Sequence, residues 1–159
     1  MLDPVMVATS GDQLIGDEAV TALKDKLIPL ADIVTPNLYE GEILFGRKSD
    51  DPIETAKALM ALGAKGVLLK GGHGDGEACL DVYADKNGVE VFEAPRLATK
   101  NTHGTGCTLS AAIAANLAKG LPVVEAIGEA KSYITEAIRH ADELDVGAGA
   151  GPVHHFWNA

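Results

Sequence analysis

Apolar positions fall at two different spacings along the chain, and their alternation predicts strands and helices in turn. Leu2 to Ala8 is a short, mostly apolar run that reads as a buried strand, weakened at its centre by Pro4. From Asp17 to Leu27 the spacing is helical, with Val20, Leu23 and Leu27 on one side. Ile33-Val34-Thr35 is a short strand ending at Pro36, and Asn37 is an N-cap candidate for a helix running through Glu40 and Ile43 to Gly46. Asp51-Pro52 opens another helix, with proline in the favoured first turn, and it ends near Gly63. Gly66 to Lys70 is a strand leading into Gly71-Gly72. Cys79–Ala84 and Val89–Phe92 flank Lys86-Asn87-Gly88, a hairpin signal. A long helix starts at Gly106, a last one spans about Val123 to Ala141, and the Gly-rich tail from Val146 to Pro152 is irregular.

Alternating strands and helices indicate a parallel sheet covered by helices, with an antiparallel hairpin added. In such open sheets ligands bind beyond the carboxyl ends of the strands. Thr35–Asn37, Lys70–His73 and Lys100–Cys107 all stand at or just past strand ends. That coincidence is the first functional clue.

Composition narrows the classes. A chain of 159 residues can bury one core but not two large independent ones. The net charge of -10 excludes general binding to nucleic acid or to anionic membranes, which rests on clustered cations. It leaves a nucleotide substrate open, because a few N–H groups and one lysine can hold a triphosphate locally. Two cysteines make no disulfide framework, no basic-then-apolar leader is visible, and no apolar run spans a bilayer. The expectation is a soluble, cytoplasmic protein.

The chemistry-bearing residues are few. In Gly104-Thr105-Gly106-Cys107, two glycines one residue apart let backbone N–H groups turn toward a ligand. The helix that follows would add the positive end of its dipole, making an anion site for a phosphoryl group in flight. A plain Gly-rich helix start fits the tetrapeptide equally well. Cys107, in the first helical turn, is either a thiol activated by the dipole or a small packing residue. Asn37 and Glu40 have capping-box spacing, and the two could instead point together toward a Mg²⁺ shell, with Asp3 adding a third oxygen. Lys70 is either a solvated strand end or a lysine aimed at phosphates. Cys79 reads as a strand packing residue and His140 as a helix-surface residue. The other histidines, His73, His103, His154 and His155, have no zinc-like spacing.

Asp3-Pro4-Val5-Met6, Thr35-Pro36-Asn37-Leu38-Tyr39-Glu40, Leu69-Lys70-Gly71-Gly72-His73, Lys100–Cys107 and Gly151-Pro152-Val153-His154-His155-Phe156 occur in this order. Together they closely resemble the hydroxymethylpyrimidine/phosphomethylpyrimidine kinases of thiamine biosynthesis, in the ribokinase-like superfamily. The wider superfamily usually has Asp where Cys107 stands, and the Pro-Val-His-His-Phe tail also points to the pyrimidine branch. The resemblance implies a ribokinase-like three-layer sandwich, with a mostly parallel sheet and helices on both faces, over residues 1–159 as a single domain. It implies ATP and Mg²⁺ as cofactors. Gly104, Thr105, Gly106 and Cys107 would form the anion hole, with Cys107 in the place of the catalytic base beside the substrate hydroxyl. Lys70 and Thr102 would lie along the ATP, Val5 and Met6 would line the pyrimidine pocket, and Asp3, Asn37 and Glu40 would organise the metal.

Members of that family are longer, and the part without a counterpart here is N-terminal. The expectation is therefore a fold incomplete at its N-terminal side, holding the ATP half of the site and little of the substrate half. An unpaired strand edge would then favour a homo-oligomer or a complementary N-terminal chain, and the chain alone is expected to lack catalytic competence. Pyridoxal kinase activity and a non-catalytic nucleotide-binding fragment or subunit are the other readings.

Overall fold

Leu2, Val34 and Val67 stand side by side in parallel pairing and set the frame of the first part of the chain. Leu2 N–H donates to the Ile33 carbonyl at 2.8 Å, and Thr35 N–H returns to the Leu2 carbonyl at 3.0 Å. On the other side of Val34, its N–H reaches the Gly66 carbonyl at 3.0 Å and Leu68 N–H reaches the Val34 carbonyl at 2.8 Å. Strand β1, Gly66–Leu69, is buried throughout, as expected for an apolar run covered on both faces. It pairs antiparallel with β2, Ala78–Asp85, in the register Leu68 to Tyr83, and β2 in turn pairs with β3, Gly88–Pro95. The sheet is thus mixed: parallel pairs on one side of β1, an antiparallel meander on the other.

The computed structural model describes residues 1–7, 13–72 and 78–159. They form two units, Met1–Glu93 and Ala94–Ala159. Ala8 and His73, which fall in the expected first strand and the Lys70–His73 group, lie outside the described residues. Among those described, no helix is long and apolar enough to cross a membrane.

In the first unit, helix α1, Asp17–Ala22, continues as a wider turn over Leu23–Leu27 and a tighter one over Ile28–Leu30. Pro29 cannot donate the next helical hydrogen bond, which is why the run stops there. Helix α2, Leu38–Phe45, starts at the full capping box predicted for Asn37 and Glu40. Helix α3, Pro52–Met60, starts at Asp51, whose carboxylate accepts the Ile53 and Glu54 N–H groups. Its apolar side, Ala56 and Leu59, joins Leu44, Val67, Leu69, Val82 and Met6 in the core.

Among the described residues the expected strand at Leu2–Ala8 forms only in part, and that at Ile33–Thr35 is reduced to isolated parallel bridges at Val34. Only Leu2 pairs with Val34, because Pro4 has no N–H to donate, Val5 N–H turns back to the Asp3 carbonyl and Met6 N–H goes to a side chain. In the second unit α4, Thr105–Ala118, packs against α5, Val123–Arg139, through Leu109, Ile113, Ile127 and Ile134.

Candidate functional site

Three chain segments in the first unit end together. Asp3 follows Leu2, Thr35–Asn37 follow Val34, and Lys70 follows β1, so the carboxyl ends of the parallel segments carry the polar groups. Asp3 Oδ1 accepts the Thr35 hydroxyl at 3.0 Å and the Lys70 ammonium at 2.9 Å. The side chains of Lys70 and Asp3 are only 12% and 17% exposed, so the ion pair is largely out of water. Lys70 is therefore not a solvated strand end. Its own N–H bonds the Pro36 carbonyl, which ties β1 to the Asn37 segment.

Glu40 is 3% exposed, and each of its carboxylate oxygens is engaged. Oε2 accepts Asn37 N–H at 2.8 Å and Oε1 accepts Met6 N–H at 3.1 Å, while Asn37 Oδ1 accepts Glu40 N–H at 2.9 Å. The residue is a capping-box member and also the clamp on the segment after Pro4. Among the described residues no three His, Cys, Asp or Glu side chains converge as a metal cage. Asp3, Asn37 and Glu40 present the hard oxygens that a divalent cation such as Mg²⁺ prefers, and both carboxylate oxygens of Glu40 are already held by N–H groups. Of the two residues expected at the pyrimidine, Val5 is 48% exposed and Met6 is fully buried in the core.

The second unit carries the Gly-rich turn. Gly104 is the N-cap of α4 with φ of +86°, a backbone state that strains any other residue. The first helical hydrogen bond runs from Thr108 N–H to the Gly104 carbonyl, so the Gly106 and Cys107 N–H groups precede the helical ladder. Thr105 folds its hydroxyl back on the Thr102 carbonyl at 2.7 Å. Thr102 and Cys107 are exposed. Cys107, Thr108, Ala111, Ala115, Tyr133 and His155 border an open groove of about 620 Å³. The arrangement can accept an anion at the helix start, with a thiol beside it.

The approach to the turn is pinned by the chain's last residues. Gly151 N–H donates to Asn101 Oδ1 at 2.8 Å, and Asn101 Nδ2 donates to Asp142 at 2.8 Å. A Cβ on residue 151 would lie 2.5 Å from Asn101 Oδ1. Gly151→Ala is expected to lower stability by about 1 kcal/mol, measured by denaturant unfolding. His140 is not a bare surface residue, since it closes α5, bonds Glu143 at 2.7 Å and stacks on Trp157.

Two polar contacts have no role in the sequence reading. Thr35 holds Asp3, and Asp81, buried at mid-β2, accepts Gly71 N–H at 2.8 Å. A charged residue interrupting the apolar run Leu80-Asp81-Val82 is the signal that marks Asp81.

The fold is that of a ribokinase-like α/β protein. A profile of the phosphomethylpyrimidine kinase family matches residues 1–154, and the chain belongs to that family. It is 52% identical over 160 residues to the hydroxymethylpyrimidine/phosphomethylpyrimidine kinase of Rhizobium meliloti, a match covering 98% of this chain and 60% of that protein. Bacillus subtilis pyridoxal kinase, solved as an ADP complex, superposes with a TM-score of 0.87 at 42% identity, over 97% of this chain and 59% of its own. Phosphomethylpyrimidine kinase of Clostridium difficile superposes with a TM-score of 0.73 at 42% identity, over 86% and 56%. The chain spans about 60% of the length of the curated relatives it matches.

Proposed function

We propose that the chain serves the transfer of the ATP γ-phosphoryl group to hydroxymethylpyrimidine and then to the resulting monophosphate, in thiamine biosynthesis. The observation that carries the reading is the Gly104–Cys107 helix start, with its unladdered N–H groups, in a chain that matches this family over residues 1–154. That match runs across both units and supports treating them as parts of one kinase domain.

The Gly106 and Cys107 N–H groups would receive the charge that develops on the transferring phosphoryl oxygens. Cys107 Sγ would take the proton of the acceptor hydroxyl as its oxygen bonds to the γ-phosphorus and ADP leaves. Lys70 supplies a positive charge for the nucleotide phosphates, held ready by Asp3 and Thr35. Thr102 would lie along the nucleotide. Asp3, Asn37 and Glu40 would hold Mg²⁺ through water, where it neutralises phosphate charge. Val5 is the exposed residue available to the pyrimidine.

The likeness to Bacillus subtilis pyridoxal kinase favours a second reading, with pyridoxal as the acceptor. Calorimetric titration with MgATP, followed by ADP-release assays with each acceptor and with none, tests both. Any acceptor-dependent ADP release should be greater with hydroxymethylpyrimidine than with pyridoxal, and release by this chain alone would overturn the expectation that it lacks catalytic competence. Lys70→Ala should weaken MgATP binding roughly tenfold, the loss of one charge-assisted contact. Absence of heat and of any thermal shift with MgATP would sink the proposal. Binding without acceptor-dependent release, even after a complementary N-terminal chain is supplied, would reduce it to a nucleotide-binding module.

A further inference from the structure

The Gly104–Cys107 turn is gripped on both sides by one short segment at the chain's end. Upstream of the turn, His103 pairs in parallel with Pro152. His103 N–H donates to the Gly151 carbonyl at 3.1 Å, and Val153 N–H donates to the His103 carbonyl at 3.2 Å. Downstream, Thr108 Oγ1 lies 2.9 Å from His155 Nε2. The segment is itself moored to α5, through His154 N–H to the Ala137 carbonyl at 2.9 Å and the Tyr133 hydroxyl to the His155 carbonyl at 2.8 Å. Val153, just before them, is buried.

We propose that His155 is a positioning residue: through the Thr108 hydroxyl it sets the first turn of α4, and with it the Cys107 thiol. The consequence for transfer rests on the function proposed above, whereas the positioning does not. A threonine hydroxyl near a helix start ordinarily satisfies itself on nearby backbone. Here the hydroxyl instead meets an imidazole brought in from 47 residues away. The imidazole and hydroxyl can each donate or accept, so the contact survives either neutral tautomer. The hydrogen bond is exposed and adds little to global stability, so its effect is local. Cys107 is the residue immediately before Thr108, and small displacements of a reacting group cost large factors in rate.

The test is the alkylation rate of Cys107 by iodoacetamide, without nucleotide or acceptor, read by mass spectrometry with Cys79 as internal reference. Trp157, the single tryptophan, stacks on His140 at 5.6 Å between ring centroids, so its emission reports whether the tail stays docked. His155→Ala and Thr108→Val should change the Cys107 rate by the same factor, roughly threefold or more, and the double variant should add nothing further. His155→Gln, which can still reach the hydroxyl, should restore the parent rate, with Cys79 reactivity and Trp157 emission constant throughout. Where the parent chain releases ADP, His155→Ala should lose roughly tenfold in kcat with KM for ATP little changed. An unchanged Cys107 rate in Thr108→Val, or factors that multiply in the double variant, overturns the proposal. If His155→Ala undocks the tail, Thr108→Val decides, because it leaves every tail backbone bond in place. Coupled alkylation rates with no ADP release from the parent chain, the result expected of a chain that lacks catalytic competence alone, would leave the positioning standing.

Discussion

Replacing Cys107 by alanine is expected to cut any acceptor-dependent ADP release at least ~10²-fold while MgATP affinity stays within about twofold. The side chain is exposed in the first turn of α4, so its removal opens no cavity in the Leu109–Ile113 core. Alanine suits a helical position, and the N–H groups of the turn stay where they are. What disappears is the thiol, the one titratable side chain in the Gly104–Cys107 turn. Calorimetry and the ADP-release assay on the same preparation separate the two effects. Loss of binding together with turnover would make Cys107 a structural residue and remove the base from the mechanism.

Glu40→Gln is expected to lower stability by about 3 kcal/mol, or about 9 °C in Tm for a chain of this length. The buried carboxylate accepts one N–H on each oxygen, from Asn37 and from Met6. A glutamine offers one oxygen and one NH₂, so either N–H would face a donor inside the core. If the oxygen stays on Asn37, α2 keeps its cap and the Met6 segment is released. If it stays on Met6, the helix start frays. Thermal unfolding followed by circular dichroism gives the size of the effect. A drop under about 1 kcal/mol would mean that water replaces the lost acceptor, and that Glu40 is less enclosed than its burial implies.

The helix starts of the first unit were legible because their signals are local. Asn37 with Glu40, and Asp51 with Pro52, satisfy N–H groups within three residues of themselves, so spacing alone predicts them. The same holds for β1 as an apolar run and for the turn before α4. The Leu2–Ala8 reading failed in part because hydropathy records burial and not hydrogen bonding. Met6 is buried as expected, but its N–H goes to Glu40, 34 residues away. His140 stands at the helix surface as expected, but its stacking partner Trp157 was not legible for a related reason, since it lies beyond the helix in the tail.

Around the Gly104–Cys107 turn the same division holds. Sequence alone determined that a Gly-rich helix start with a thiol in its first turn exists, whereas the positive φ at Gly104 and the start at Thr105 rather than Gly106 were read from the structure. It also determined which residues were candidates: Lys70 ends a predicted strand, Asn37 and Glu40 open the helix that follows another, and Asp3 lies in the first apolar run. Only the tertiary structure decided their partners. Lys70 meets Asp3 across 67 residues, and His155 meets Thr108 across 47. A side chain's propensity carries no information about which distant group it will face. That depends on sheet register and on where the tail docks on α5, both set by packing of the whole unit.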